Sequence, residues 1–351
     1  MPTTRQLLES ILGGNSPTPA EIADVFGAMF RGEVTDPEMA AVLVALRMRG
    51  ETGATLAAAA KVMRTNAKSL LVPPGIRPLA DNCGTGGDGG GTFNISTSAA
   101  FTAAACGVRI AKHGNRSVSS KCGSADLMFA AGFPTGLPTE SLTTLLAESG
   151  FTFFFAPDFH PLVKNVMPVR KALGVRTIFN FLGPLANPIA PDTQLIGVGA
   201  VEYVRPMAEA ASILGIQNAL VVHSRDGLDE ISPAAPTDCV RVTKGKLEDI
   251  TIDPHALGIR ANLSGLAGGD ATLNLGLLQT LLSGTSGAIQ DAVALNAGAL
   301  LWLAGRAPSI ADGLSAARAA LLSGTVRRWF DKMIARAQEL TNSQRGASHH
   351  G

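Results

Sequence analysis

Aromatic side chains other than phenylalanine are scarce in this chain of 351 residues: there are one Tyr and two Trp. That leaves few platforms for stacking bases. The formal net charge of +1 supplies no basic stripe, so nucleic acid is not an expected partner. The only cysteines are Cys83, Cys106, Cys122 and Cys239. No pair has C-x-x-C spacing, which argues against a zinc site or redox dithiol, and scattered thiols in a chain this long suit a reducing cytoplasm. The N-terminus, MPTTRQLLESILGGNSP, lacks a basic start followed by an apolar run, so no signal peptide is expected. Charge is absent from 89–108 and from 271–290. Gly, Ser, Thr and Asn interrupt both stretches, and neither reads as a membrane span. The run AVALNAGALLWLAG (292–305) is too short to cross a bilayer and reads as a buried helix.

A hydrophobic content of 46% allows a large core and one or two domains. The first seventy or so residues read as helical. One helix opens at Thr18-Pro19 and runs to about Arg31. A second starts at Asp36-Pro37, with Asp36 as N-cap and Pro at the first helical position, and stops at Gly50. A third covers 52–68. Three prolines in LLVPPGIRP (70–78) mark a boundary. Beyond it strands alternate with helices: LADNC, VRIAKH, FTFFFA, TQLIGVG and NALVVHS are the strands. This predicts an α/β fold with a separate all-α domain and a mostly parallel sheet flanked by helices. The expected division is 1–72 helical and 73–351 α/β, with 160–190 contributing to the helical part. The last residues, TNSQRGASHHG, read as a disordered tail.

The stretch DNCGTGGDGGG (81–91) contains a literal G-x-G-x-x-G. A dinucleotide fingerprint also needs an acid about 20 residues on, and none lies between Asp88 and Asp126. No Gly-Lys-Ser/Thr follows, so it is not a Walker loop either. Alone, it would be a simple glycine turn. Its surroundings change that. Asn94-Ile95-Ser96-Thr97-Ser98 opens an Ala-rich helix, whose N-terminus suits an anion as well as simple capping. A second strand leads into Lys112–Lys121, a loop with three fixed cations and three hydroxyls before a helix start at Ser124. In a parallel sheet both loops open on one edge, and together they describe a pocket for a phosphorylated small molecule. Asp229-Glu230 follow the strand NALVVHS. Alone they would be solvated acids of a turn; beside phosphates they imply a bridging cation, for which Mg²⁺ is suited. The charge of Asp88 then makes sense if it faces a metal-bound water or a ribose hydroxyl.

Five segments together resemble the anthranilate phosphoribosyltransferase family over nearly the whole chain. They are GEVTDPEMAAVLVALRMRGET (32–52), DNCGTGGDGGGTFNISTSAAF (81–101), KHGNRSVSSKCGSAD (112–126), HPLVKNVMPVRKALGVRTIFNFLGPLANP (160–188) and HSRDGLDEIS (223–232). The resemblance implies the nucleoside phosphorylase type of fold and a homodimer through the helical domain. It implies transfer of a phosphoribosyl group to anthranilate in tryptophan biosynthesis, in the cytoplasm, with Mg²⁺ as cofactor. For phosphoribosyl diphosphate it implies a site made of Gly84, Gly87, Asp88, Thr92, Asn94, Ile95, Ser96 and Thr97, the loop Lys112, His113, Gly114, Asn115, Arg116, Ser117, Val118, Ser119 and Ser120, and Ser124. Ser96, Asp229 and Glu230 are the implied metal ligands, and Gly84, Asn115 and Arg170 the implied anthranilate contacts. No general base stands out; Lys112, His113 and Asp88 are supporting candidates. Cys122, where the family often has Ser, and MFAAG (128–132), in place of LEALG, are departures away from these positions. A pyrimidine nucleoside phosphorylase or a nucleic-acid-binding relative of the same fold would be the alternatives. The order of KHGNR, SSK and GSAD, the FNFLGPLANP stretch and the near-neutral charge argue against both.

Overall fold

The computed structural model describes residues 4–70, 72–73, 75–87, 91–117 and 121–347, the last four as backbone only. Four helices open the chain: α1 (Thr4–Leu12), α2 (Pro19–Arg31), α3 (Asp36–Arg49) and α4 (Gly53–Thr65). Their starts follow from local chemistry. Thr18 Oγ1 accepts from Glu21 N at 3.2 Å while Thr18 N donates to Glu21 Oε2 at 2.8 Å, a reciprocal cap ahead of Pro19. In α3 the cap lies one residue earlier than the expected Asp36. Thr35 is the N-cap, its N–H donating to Glu38 Oε2 at 3.1 Å, and Asp36 and Pro37 are the first helical residues. Gly32 and Gly50 end α2 and α3.

The remainder alternates strand and helix. It comprises β1 (Ala80–Gly84), α5 (Ile95–Ala105), β2 (Ile110–Gly114), α6 (Ser124–Ala130), α7 (Thr139–Ser149), β3 (Phe151–Phe155), α8 (Ala156–Phe159), α9 (Met167–Leu173) and α10 (Phe179–Leu185). Then come β4 (Thr193–Gly197), α11 (Val204–Ile213), β5 (Asn218–Ser224), β6 (Thr237–Thr243), β7 (Lys246–Ile252), α12 (Ala271–Leu282), α13 (Ala288–Leu303), α14 (Ile310–Leu322) and α15 (Thr325–Ala347). The sheet order is β3-β2-β1-β4-β5-β6-β7. The first five strands run parallel, and β6 and β7 are antiparallel additions at one edge. All five expected strands are present. The β6–β7 hairpin was not expected; it turns through Lys244 (φ 48°) and Gly245 (φ 85°), two left-handed residues of the kind a tight hairpin requires. The expected disordered tail is also corrected: α15 continues to Ala347, and 348–351 lie outside the described residues.

Side chains alternate across the sheet and divide the interior in two. Leu195, Leu220 and Val222 face one core, shared with α5, α6, α7 and α12 to α15. Ile196, Ala219 and Val221 face the other, which they share with Leu7, Phe26 and Leu56 of the N-terminal helices and with Val169, Phe179 and Phe181 of α9 and α10. In the first core Phe101 of α5 meets Phe151 at 5.4 Å and Phe330 at 5.1 Å between ring centres, and Trp329 Nε1 donates to Ser149 O at 2.9 Å. Phe101 is wholly buried. Phe101→Ala is therefore expected to lower stability by about 3–5 kcal/mol in urea unfolding; a loss below about 1 kcal/mol would mean that this cluster does not anchor α15.

Candidate active site

The strand order places a topological switch between β1 and β4: the chain steps outward from β1 through β2 to β3, then returns to the other side of β1. In open α/β sheets this is the place, outside the strands' carboxyl ends, where ligands bind. Gly84 and Gly197 end the two strands as paired neighbours. The glycine turn continues from Gly84, and Thr85 N donates to Gly197 O at 2.9 Å, stitching the turn to β4.

The acids that follow β5 reach this same edge. Asp229 Oδ2 accepts from Gly86 N at 2.7 Å, and Glu230 Oε1 accepts from Ser96 N at 3.0 Å at the start of α5. A Cβ on Gly84 would stand 2.2 Å from Asp229 Oδ2, and one on Gly197 would stand 1.6 Å from Asp229 O. Glycine is required at Gly197, where the backbone of the acid-bearing segment passes, and at Gly84 it leaves room for the Asp229 carboxylate. Asn296, an amide buried among the apolar residues of α13, fixes that segment from behind. Its Oδ1 accepts from Ile231 N at 3.0 Å, and its Nδ2 donates to Ile231 O at 2.8 Å.

The second loop follows β2. Gly114 ends the strand, and Asn115 N donates to Ser124 Oγ at 3.2 Å. Asp126 gathers the loop: its Oδ2 accepts from Ser117 N at 3.1 Å and Gly123 N at 2.9 Å, and Arg116 lies 3.5 Å from its other oxygen. Asn94 Nδ2 donates to Cys122 O at 3.1 Å, tying this loop to the start of α5. Thr92 bridges to Ala267, while Ile95 and Thr97 are buried. Asp88, Val118, Ser119 and Ser120 lie outside the described residues.

Beneath the loops is a buried polar layer. The Lys112 ammonium is inside the protein and donates to the backbone and side-chain oxygens of Asn82, whose Nδ2 donates to Ser96 O at 2.7 Å. Lys112 thus acts on the Ser96 turn through Asn82. Asp81 is fully buried, accepts from Asn187 Nδ2 at 2.9 Å, and is shifted upward by burial. His113 donates Nδ1–H to Gly183 O at 3.2 Å, and its ring meets His160 edge to face at 5.2 Å. Burial, with the neighbouring His160, pushes His113 down to about 3, and burial pushes His160 down to about 4. A histidine so reluctant to take a proton is a poor base near neutrality and serves to hold its neighbours. Burial likewise raises the Cys83 thiol to about 12, which removes it as a nucleophile.

Arg170 is on α9 within the helical core, half-buried, with its guanidinium carbon 5.3 Å from the Phe179 ring centre. Burial lowers its pKa, and among the described residues it has no carboxylate partner. Sequence reasoning missed Asn82, Asn187, Asn296 and the bracing by Asp126. Asn296 carried a signal: a lone amide in an apolar run is inside and needs partners. The others are ordinary polar residues whose roles depend on distant chain.

The chain sets a helical bundle beside a switched parallel sheet, with Asp229 on a donor of the glycine turn and Glu230 on one at the start of α5, and both parts match a glycosyl transferase. The helical bundle domain of the glycosyl transferase family matches residues 5–67, and its a/b domain matches 77–327. The chain is 44% identical to the anthranilate phosphoribosyltransferase of Desulfatibacillum aliphaticivorans, over 95% of this chain and 98% of that protein. The solved structure of the Thermus thermophilus enzyme of that name superposes with a TM-score of 0.88 at 42% identity, over 95% of this chain and 99% of the other. The Saccharomyces cerevisiae enzyme, solved in complex with phosphoribosyl diphosphate (PRPP) and Mg, gives 0.87 at 25% identity, over 96% and 98%. The chain belongs to the anthranilate phosphoribosyltransferase family.

The two histidines generate a pH dependence with a definite sign. Both stay neutral in the folded protein at pH values where the unfolded chain, with an ordinary value near 6.5, takes up protons. The unfolded state then binds more protons, so each histidine lowers stability by about 1.4 kcal/mol per pH unit below about 6.5. The contribution levels off at about 4 for His160 and about 3 for His113. Unfolding free energies measured from pH 6 to about 4.5 are expected to fall on acidification, and His160→Gln to flatten the slope by roughly one such increment. An unchanged slope in the variant would place the acid sensitivity elsewhere.

Proposed function

We infer that the chain transfers the phosphoribosyl group of 5-phosphoribosyl 1-diphosphate to the amine of anthranilate. The products are N-(5-phosphoribosyl)anthranilate and diphosphate, a step of tryptophan biosynthesis. The observation that carries this reading is the pair Asp229–Glu230 on the N–H groups of Gly86 and Ser96 at the sheet's switch point. Those donors form an anion cradle at a turn and a helix start. The carboxylates now on them are the groups that a divalent cation would engage while phosphate oxygens take their place.

The donor set fits Mg²⁺: two carboxylates and the Ser96 hydroxyl are hard oxygen ligands, to be completed by substrate phosphates and water. The yeast relative is solved with both phosphoribosyl diphosphate and Mg. Bound there, the ion supplies charge neutralisation for the departing diphosphate. The chain's own residues do the rest. Gly84, Gly87 and the turn at Asn94–Thr97 hold the phosphates with backbone N–H groups. The loop from Gly114 to Ser117, braced by Asp126 and Ser124, closes the ribose side. Lys112 and His113 position rather than exchange protons. The aromatic amine attacks C1 as the C1–O bond to diphosphate breaks, and then releases its proton to water. Asn115 and Arg170 take the anthranilate carboxylate, so that the ortho amine points at C1.

The division into 1–72 with 160–190 and 73–351 is our reading, supported by the core that α9 and α10 share with α1 to α4. Leu12, Val44 and Met48 are exposed on α1 and α3, an apolar face that suits homodimerisation through the helical domain. Among the described residues no helix is long and apolar enough to cross a membrane; we place the enzyme in the cytoplasm.

Loss of anthranilate fluorescence on adding phosphoribosyl diphosphate and Mg²⁺ measures the reaction. In that assay Asp229→Asn with Glu230→Gln should fold normally yet lose at least about a hundred-fold in turnover, since two charge-assisted contacts of about 1.5–3 kcal/mol each are removed. Near-wild-type turnover at ordinary Mg²⁺ would refute the metal role.

Arg170→Ala is expected to raise the KM for anthranilate by about ten-fold or more while changing that for phosphoribosyl diphosphate little, because a carboxylate loses a two-pronged partner. Arg170→Lys should restore only part. Equal effects on both constants, or none, would remove Arg170 from the carboxylate site.

A further inference from the structure

A second arginine, Arg176, rests on the glycine turn. Arg176 lies between Gly174, which ends α9, and the start of α10. Its Nη1 donates to Gly87 O at 3.4 Å, at the long limit of a hydrogen bond. A Cβ on Gly87 would fall 2.8 Å from that nitrogen and 3.0 Å from the guanidinium carbon, so the cation rests directly on the turn. Its guanidinium carbon is 5.5 Å from the centre of the Phe181 ring, and Phe181 is stacked on Tyr203 with centroids 3.9 Å apart. The cation is therefore held against a buried aromatic pair. Its Nη2 is buried and, among the described residues, has no hydrogen-bond partner. Among the described residues Arg176 has no acidic partner either.

We propose that Arg176 is a binding residue for the diphosphate of phosphoribosyl diphosphate, gripping it at the Gly87 end of the turn whose Gly86 N–H is held by Asp229. This rests on the reading that the turn receives the diphosphate. A fixed cation with one buried nitrogen unmatched and its other bond weak lacks an anion, and unmade bonds of buried donors are costly. The planar fork presents two N–H groups side by side, matched to two phosphate oxygens. On binding, Nη1 exchanges a long contact with a carbonyl for one with an anionic oxygen, and a small rotation of the guanidinium brings the buried Nη2 out to its first partner. Charge grows on the diphosphate oxygens as the C1–O bond breaks, so the contact strengthens along the reaction. The anthranilate carboxylate is the other anion present. The position on Gly87 favours the diphosphate, because among the described residues the hydrogen bond of Arg176 is to the phosphate turn.

Arg176→Gln and Arg176→Lys are compared with wild type in steady-state kinetics with both substrates varied, and in calorimetric titration with inorganic diphosphate and Mg²⁺. Arg176→Gln is expected to raise the KM for phosphoribosyl diphosphate and the Kd for diphosphate by about ten-fold or more, with the KM for anthranilate within about two-fold, and Arg176→Lys to recover part. Unchanged diphosphate affinity overturns the proposal, as does an effect confined to the KM for anthranilate. Equal losses on both substrates with a lowered Tm and no rescue by Lys would make Arg176 a structural contact. Wild-type protein that neither turns over nor binds diphosphate would instead refute the underlying reading of the turn, and the proposal with it.

Discussion

The contact on which the site depends is the hydrogen bond from Gly86 N to the Asp229 carboxylate. It joins the turn after β1 to the segment after β5, and it does so across the switch point of the sheet. Two strand-ending glycines leave the room for it, and Asn296 holds the acid's segment from the core side. The neighbouring bond from Ser96 N to Glu230 repeats the arrangement at the start of α5. These carboxylates occupy backbone donors at a turn and a helix start. In the binding mode proposed above, the donors would pass from carboxylate to phosphate as the carboxylates pass to a cation, which would favour a cation–phosphate complex over a bare anion.

The polar layer under the loops acts by rigidity. Lys112, Asn82 and the Ser96 carbonyl form one chain of bonds, and Asp81, Asn187 and Gln194 another. Every member is buried or nearly so, and each would be costly to leave without a partner. The layer ties the starts of the loops to the sheet beneath them. The histidine pair belongs to this layer, and its refusal of protons follows from the same dryness.

Much of this was legible in the residues. Strand runs such as TQLIGVG and NALVVHS announce themselves by composition, and Thr18-Pro19 with Glu21 marks a helix start whatever surrounds it. The convergence of the glycine turn, the Asn94–Thr97 turn and Asp229–Glu230 followed from parallel strands opening on one edge. What stayed hidden is what depends on distant partners. Nothing near Lys112 says that its ammonium points at Asn82 rather than at solvent, and nothing near Arg176 says that it rests on Gly87, 89 residues away in the chain. The β6–β7 hairpin escaped because its outer strand, KLEDITI, is too charged to resemble a strand of a buried sheet. The helical course of 341–347 escaped because polar composition was read as disorder.

That charged outer strand has a consequence for how molecules of this protein meet. An open sheet offers two unsatisfied borders, each able to recruit a strand from another chain. At the β3 border the run FTFFF would be a strong recruiter, but Phe151, Phe153 and Phe154 are almost wholly buried beneath the flanking helices. At the β7 border Lys246, Glu248 and Asp249 are exposed and repel an incoming strand by charge and by bound water. The apolar side chains at one border are kept inside the fold and the other border is guarded by charge, which weakens the pull that either would exert on a strand of another molecule.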